Sequence, residues 1–389
     1  MGEITNGPRA GDAAAPGLPR IGARSIQSSF QSPPVTRHTY VPAWWIPGPH
    51  LRTLWGKFLR RVPPVPTRRE RWDMDDGDFL DLVRLDAPHG APRLLLLHGL
   101  EGTPRSHYAR GTLAEARRRG WGADLLIFRS CGGELNRTRR FYHSGETTDL
   151  ALVVERVAAE HPDSPLVLAG FSLGGNVLLK YLGERGGDLP PRLQAAAAIS
   201  VPYDLGRGSR HISRGFARVY ERHFLRSLRR KAYAKLDRFP DLVPREHVAR
   251  ARTLWDFVDV VTAPVHGFAS AADYYDRSSA VHFLHGIRIP TLLLSAFDDP
   301  FLPAAVLDDV RAAAGDNPAL HVEFIEQGGH VGFISGRVPW RPFYYAEWRV
   351  ADFLAAHLPA AGDGGAVAAA GRGAVMPGAS TGQQGRGSA

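Results

Sequence analysis

The chain has 389 residues, 44% of them hydrophobic, and a formal net charge of +9, which is enough apolar content for a large core. Its one cysteine, Cys131, excludes an internal disulfide and a cysteine-built metal cluster, and no run of about 18 apolar residues offers a bilayer-spanning helix. The charge is local: residues 204–252 hold 14 Lys/Arg against 5 Asp/Glu and the rest is close to neutral, so no nucleic-acid partner is expected and one basic segment stands out.

Residues 1–40 carry "GPRAGDAAAPGLPR" and "QSSFQSPP", and residues 361–389 are rich in Gly and Ala. Neither stretch can bury enough surface to offset the entropy of ordering, so both are expected to be disordered tails around a folded unit at 41–360. No apolar stretch of signal-peptide length stands near residue 1, and a soluble, cytoplasmic protein is expected.

Within that unit, "RRERWDMDDGDFLDLVRLD" (68–86) predicts two strands around Asp76-Gly77. "PRLLLLHG" (92–99) is a short apolar run of the kind buried on both faces of a sheet. A helix is predicted over 106–119 and a strand over 122–130. Ser144 is a candidate cap for a helix reaching about residue 160, with Glu146 in its first turn. Then come a strand (165–172), a helix (174–184) and a strand (193–202). After the basic segment the pattern resumes with a strand (288–300), a helix (303–314), a strand into a loop (321–330) and a last helix (343–358). Strands alternating with helices predict an α/β fold, a mostly parallel sheet with helices on both faces. Ligands of such sheets bind outside the carboxyl ends of the strands. His98-Gly99, Ser172, Asp298-Asp299 and His330 all fall at such ends.

Ser172 stands in "AGFSLGGN", a Gly-x-Ser-x-Gly pattern between a predicted strand and a predicted helix. Gly170 and Gly174 would permit a strained elbow, and Gly175 a close helix–strand approach. A serine hydroxyl needs a base to take its proton, and the base needs a carboxylate to fix its tautomer. "LLLSAFDDPFLP" supplies Asp298 or Asp299, and "QGGHVGF" supplies His330, in the chain order Ser, Asp, His. Backbone N–H groups must also meet the developing oxyanion. The candidates are Leu173, just after the serine, and Leu100, just after His98-Gly99. Cys131 in "RSCGGE" is read as a small loop residue rather than a nucleophile. "HFLH" (282–285) lacks converging ligands for zinc, and dinucleotide, phosphate-loop and His-Glu-x-x-His motifs are absent. No cofactor or metal is expected.

Taken together, "HGLEGTPRSHYARG" (98–111), "RSCGGELNRTRRFYHSGETTDL" (129–150), "GFSLGGNVLLKYLGE" (170–184), "AISVPYDL" (198–205), "LLSAFDDPF" (293–301) and "GGHVGF" (328–333) resemble the α/β-hydrolase superfamily. The closer likeness is to its YheT-like branch, which includes mammalian α/β-hydrolase-domain proteins acting on lipid esters. "WWIPGPHLRTLW" (44–55) is similar to that branch's N-terminal segment, with Gly-Pro in place of its usual Asn-Gly, and "CGGELN" departs slightly from its Cys-Ser-Gly-Glu. Loops of this kind tend to place the acid four residues before a proline, here Pro303, which favours Asp299 over Asp298. The resemblance implies carboxylic-ester hydrolysis, and it implies that the insertion at 204–285 forms a helical cap over the site.

Within the insertion, Arg214, Arg218, Arg222 and Arg226 recur every four residues, as do Phe216, Tyr220, Phe224 and Leu228, offset by two. An offset of two is about 200° around a helix, so a basic stripe opposite an aromatic one is predicted. Such a helix packs its rings on the body with its arginines in water, or meets an anionic membrane. The expected activity is a serine esterase that cleaves small-molecule or lipid esters through Ser172, His330 and Asp299. Acyl transfer at the same site is the close alternative. A non-catalytic or peripheral membrane-binding protein on the same scaffold is the rival.

Overall fold

A computed structural model describes residues 39–359; residues 1–38 and 361–389 of the expected tails lie outside them, whereas Tyr40, expected in the first tail, packs on the core and donates to the Ile334 carbonyl at 3.3 Å. The order begins with α1 (Pro49–Phe58), β1 (Arg68–Asp73), β2 (Phe79–Leu85), β3 (Arg93–Leu97), α2 (His107–Arg118), β4 (Gly122–Ile127), α3 (Thr148–Glu160), β5 (Leu166–Phe171), α4 (Leu173–Arg185) and β6 (Leu193–Ile199). A helical stretch follows: α5 (Leu205–Ile212), α6 (Arg218–Arg238), α7 (Arg245–Arg250), α8 (Leu254–Phe257), α9 (Ala263–Val265) and α10 (Ala271–Ser278). The chain then returns to the sheet with β7 (Thr291–Ala296), α11 (Ala304–Ala314) and β8 (Leu320–Ile325), and ends in a two-residue ribbon, β9 (Ile334–Ser335) with β10 (Phe343–Tyr344), and α12 (Tyr345–Ala355).

The main sheet runs β1-β2-β4-β3-β5-β6-β7-β8. The β1–β2 and β2–β4 pairs are antiparallel, and every pair from β4 onward is parallel. β3, β4, β5 and β7 are buried along their whole length, which is why they read as unbroken apolar runs. From β3 the chain crosses to β4 on one side and then to β5 on the other. That reversal opens a crevice at the carboxyl ends of β3 and β5, where a doubly wound sheet holds its ligand. The loop carrying Leu100 leaves β3 there, and Ser172 leaves β5.

Local interactions move several expected boundaries. β4 stops at Ile127 because Arg129 turns into the protein to meet Asp78 at 2.6 Å and Asp149 at 2.7 Å. Ser144 does not cap α3. Glu146 does, its carboxylate accepting from the backbone N–H of Thr148 at 2.8 Å and of Asp149 at 3.3 Å. Ser144 lies in the loop before, held by the Tyr274 hydroxyl and the Asn176 amide.

The arginine and aromatic stripes share α6 only from Arg218 onward, and Arg214 and Phe216 fall before it. Arg214 is extended, Gly215 takes φ +51, a 3-10 turn covers Gly215–Ala217, and α6 starts only at Arg218. Phe216 is consequently 53% exposed rather than packed, whereas Tyr220 is buried and Phe224 half-buried. Arg214, Arg218, Arg222 and Arg226 are all exposed. Further along α6, the fully buried Lys235 donates to the Asn136 carbonyl at 3.0 Å and to that of Thr138. Burial lowers its pKa to about 8. Among the described residues no helix is long and apolar enough to cross a membrane.

Candidate active site

Ser172 joins β5 to α4 with φ +53 and ψ −121. A serine held in this region is strained, and only surrounding structure keeps it there. The neighbouring glycines supply the room. A Cβ on Gly170 would lie 2.5 Å from the Gly174 oxygen, one on Gly174 would lie 2.5 Å from the His98 oxygen, and one on Gly175 would lie 2.7 Å from Val201. The motif glycines are therefore required for close approach, while the strained dihedrals fall on the serine.

His330 Nε2 lies 3.0 Å from Ser172 Oγ, and its Nδ1 lies 2.8 Å from Asp299 Oδ2. The other Asp299 oxygen accepts from the Phe301 N–H at 2.8 Å, and the Phe301 ring stacks on the imidazole with centroids 4.0 Å apart. Carboxylate, ring and hydroxyl are thus held in a line, with one face of the histidine covered by Phe301 and its side chain 10% exposed.

Asp298 faces elsewhere. It accepts from Arg52 at 3.0 Å and from the backbone N–H groups of Gly328 and Gly329 at 2.7 and 2.8 Å. Arg52 also donates to Gln327 at 2.8 Å, and Thr53 accepts from the His330 N–H at 3.0 Å. From the end of β6, the Ser200 hydroxyl accepts from the Val331 N–H at 2.9 Å. The histidine loop is therefore clamped by α1 and by Asp298. Arg52, Thr53 and Ser200 were not foreseen as part of the site. Arg52 and Thr53 stood inside "HLRT", and an arginine with no acid nearby in sequence was the available signal.

The loop after β3 is set by His98, which is fully buried. Its Nδ1 lies 2.8 Å from the Gly99 carbonyl and its Nε2 accepts from the Phe128 N–H at 3.1 Å, an arrangement that suits the Nδ1-protonated neutral ring. Burial lowers its pKa to about 4. Gly99 packs against the elbow, since a Cβ there would lie 3.1 Å from Ser172 Cβ. Leu100 and Leu173 both line the space beside Ser172. Leu173 opens α4, where backbone N–H groups have no intrahelical acceptor.

That space is a cavity of about 150 Å³. Its wall is mostly apolar, with Ile212, Phe224, Leu228, Leu254 and Phe257 contributed by the helical insertion and Phe301 by the sheet side. Cys131 is buried, and burial raises its pKa to about 11, a thiol rather than a nucleophile. Among the described residues no group of three His, Cys, Asp or Glu side chains is placed to hold a metal ion.

A family model described as "alpha/beta hydrolase fold" matches residues 92–337. A protein of Escherichia coli K12 named "Putative esterase YheT" is 37% identical over 326 residues, which is 82% of this chain and 94% of that protein. Embryogenesis-associated protein EMB8 of Picea glauca is 31% identical over 74% of this chain and 65% of its own length. Phospholipase ABHD3 of Mus musculus is 30% identical over 82% of this chain and 79% of its own. With a mostly parallel sheet, a serine at the strand–helix elbow and these relatives, the chain belongs to the α/β hydrolase fold family, in its YheT-like branch.

Proposed function

We propose that the protein is a serine hydrolase of carboxylic esters, with Ser172 as nucleophile, His330 as general base and acid, and Asp299 as the carboxylate that orients and stabilises the imidazolium. The observation that carries this reading is the hydrogen-bonded line from Asp299 through His330 to Ser172, with contacts of 2.8 and 3.0 Å, at the wall of an apolar cavity. Ser172 Oγ attacks the ester carbonyl carbon while His330 Nε2 takes its proton, and the carbonyl electron pair moves to oxygen. The N–H groups of Leu100 and Leu173 stabilise that oxyanion. The C–O bond to the leaving alcohol then breaks as His330 returns the proton to it, leaving an acyl-enzyme. A water deprotonated by His330 attacks the acyl carbon, the bond from that carbon to Ser172 Oγ then breaks as His330 returns the proton to Oγ, and the acid leaves.

An acyl or lipid ester fits best, because the cavity wall is apolar and a relative bears the name phospholipase. Acyl transfer uses the same acyl-enzyme with an alcohol in place of water. The buried free thiol suits a cytoplasmic location. Peripheral contact with an anionic membrane is favoured by a separate feature. The four exposed arginines at 214–226 lie beside exposed Phe216 and Val219; α1 runs along this segment, His50 meeting Phe216 at 4.5 Å between ring centroids and Lys57 lying 3.2 Å from His223, and exposed Phe58 and Leu59 follow at its end.

Labelling with a fluorophosphonate probe tests the catalytic reading. The wild type should label and should hydrolyse short p-nitrophenyl esters, and Ser172→Ala should do neither. Added alcohol that diverts acyl groups into a new ester would identify transferase activity. A wild type that neither labels nor hydrolyses would leave the non-catalytic scaffold as the answer.

A further inference from the structure

Glu101 follows Leu100 in the loop after β3 and takes φ +55, a left-handed conformation that a glutamate keeps only when its surroundings impose it. Two distant parts of the chain do so. The Glu101 N–H donates to the Tyr142 hydroxyl at 2.9 Å, and that hydroxyl donates back to Glu101 Oε1 at 2.8 Å. Tyr142 is itself buried and stacked flat on Phe128, centroids 5.5 Å apart. From α6, Lys231 Nζ reaches Oε1 at 2.7 Å, and Ser227 Oγ donates to Oε2. The Glu101 side chain is 9% exposed, so water screens this network little. Burial pushes the carboxyl pKa upward, but the Lys231 ammonium and the hydrogen bonds outweigh it and hold the group below the usual glutamate value.

We infer that Glu101 is a positioning residue that fastens the loop bearing the Leu100 N–H to α6, so that the oxyanion site is complete only while the helical insertion is docked. This rests on the hydrolase reading above. Two physical effects act together. The first is geometric: Tyr142 accepts from the N–H of the Leu100–Glu101 peptide while α6 holds the Glu101 side chain, and the two together restrict the direction of the neighbouring Leu100 N–H. The second is electrostatic: a bare carboxylate one residue from a developing oxyanion would oppose it, and Lys231 neutralises that carboxylate. The same insertion supplies Phe224 and Leu228 to the cavity wall. Acyl binding and oxyanion stabilisation therefore depend on one docked helix, and a displaced α6 would impair both.

A structural ion pair alone would change stability and leave the kinetic constants of the folded enzyme untouched. Steady-state kinetics on a soluble p-nitrophenyl ester, with the full chain and with folding checked by circular dichroism, separate the cases. Losing one oxyanion donor costs about 10²-fold in kcat, so Glu101→Ala should fall by about that factor with KM within about threefold. Glu101→Gln should recover at least about tenfold of the loss, because its amide oxygen can still accept from Tyr142 or Lys231. Lys231→Met should lower kcat by about tenfold or more, and the Glu101→Ala/Lys231→Met double variant should be no worse than Glu101→Ala within about threefold, since both act through one link. A folded Glu101→Ala with wild-type kcat, or single losses that multiply in the double variant, overturns the inference. Should Glu101→Ala fail to fold, a wild-type kcat in Lys231→Met overturns it instead. A wild type that hydrolyses no ester removes the hydrolase reading and this inference together, whereas an active wild type with an equally active Glu101→Ala removes the inference alone.

Discussion

Arg52 donates to Asp298 at 3.0 Å with the arginine side chain 7% exposed and the aspartate 19%, so the acid next to Asp299 is already committed to holding α1 against the histidine loop. The two adjacent aspartates should consequently fail in different ways. Asp299→Asn should lose at least about 10²-fold more kcat than Asp298→Asn, because His330 would then favour the wrong tautomer. Asp298→Asn should lower the unfolding free energy by about 1–3 kcal/mol, because Arg52 loses its charged partner in a half-dry setting. Kinetics and denaturant melts of both variants make the comparison. A larger kcat loss in Asp298→Asn would exchange the assigned roles.

The strain at Ser172 gives a stability test independent of substrate. Ser172→Ala should abolish ester turnover, by about 10⁵- to 10⁶-fold in kcat, yet keep the unfavourable φ of +53. Ser172→Gly should be equally inactive but more stable than the alanine variant by about 1 kcal/mol, because glycine adopts this conformation without penalty. Equal melting curves for the two variants would show that the elbow stores no strain.

Alternation of apolar runs with helical periodicity made the parallel sheet legible, and the order of Ser172, Asp299 and His330 at strand ends made the candidate site legible. Both signals are local, confined to a strand and the few residues after it. The clamp on the histidine loop was not legible, because Arg52 and Thr53 stand well over 200 residues from their partners and no spacing rule reaches that far. The end of the arginine stripe was misread for the opposite reason. A four-residue period continued through Arg214, but Gly215 with φ +51 breaks the helix there, and periodicity does not register a single backbone angle. Ser144 likewise has the residue type of a cap, yet Glu146, two residues nearer the helix, is the side chain that reaches the open N–H groups.

Buried histidines set an acid limit on stability. Burial lowers the pKa of His98 to about 4 and that of His107 to about 3, and it lowers those of His143 and His266 as well. These rings stay neutral in the folded protein while the unfolded chain takes up protons below about pH 6.5, so the stability they contribute is full above that pH and falls as pH drops toward 4. His98 alone accounts for a loss on the order of 3 kcal/mol across that window. Denaturant unfolding at a series of pH values should show this decline, with a shallower slope for His98→Gln. A wild-type stability that is flat from pH 6.5 to 4 would contradict neutral burial of these rings.

Arg214, Arg218, Arg222 and Arg226 are exposed beside Phe216 and Val219, and among the described residues they have no acidic partner within ion-pair distance. Near an anionic bilayer each would contribute about 1 kcal/mol of attraction, falling steeply with added salt. Replacing all four by Gln should weaken co-sedimentation with phosphatidylserine-containing vesicles and remove most of its salt dependence. The residual binding should then come from the exposed apolar side chains, and Phe58→Ser with Phe216→Ser should reduce it further while leaving the salt dependence of the arginine-intact protein in place. Turnover of a small neutral soluble ester should change little in the arginine variant, because Ser172, Asp299 and His330 stand on sheet loops and none of the four arginines lines the cavity. A wild type that stays in the supernatant with anionic vesicles even at low salt would reduce the stripe to a solvated surface and leave the membrane with no part in how this enzyme meets its substrate.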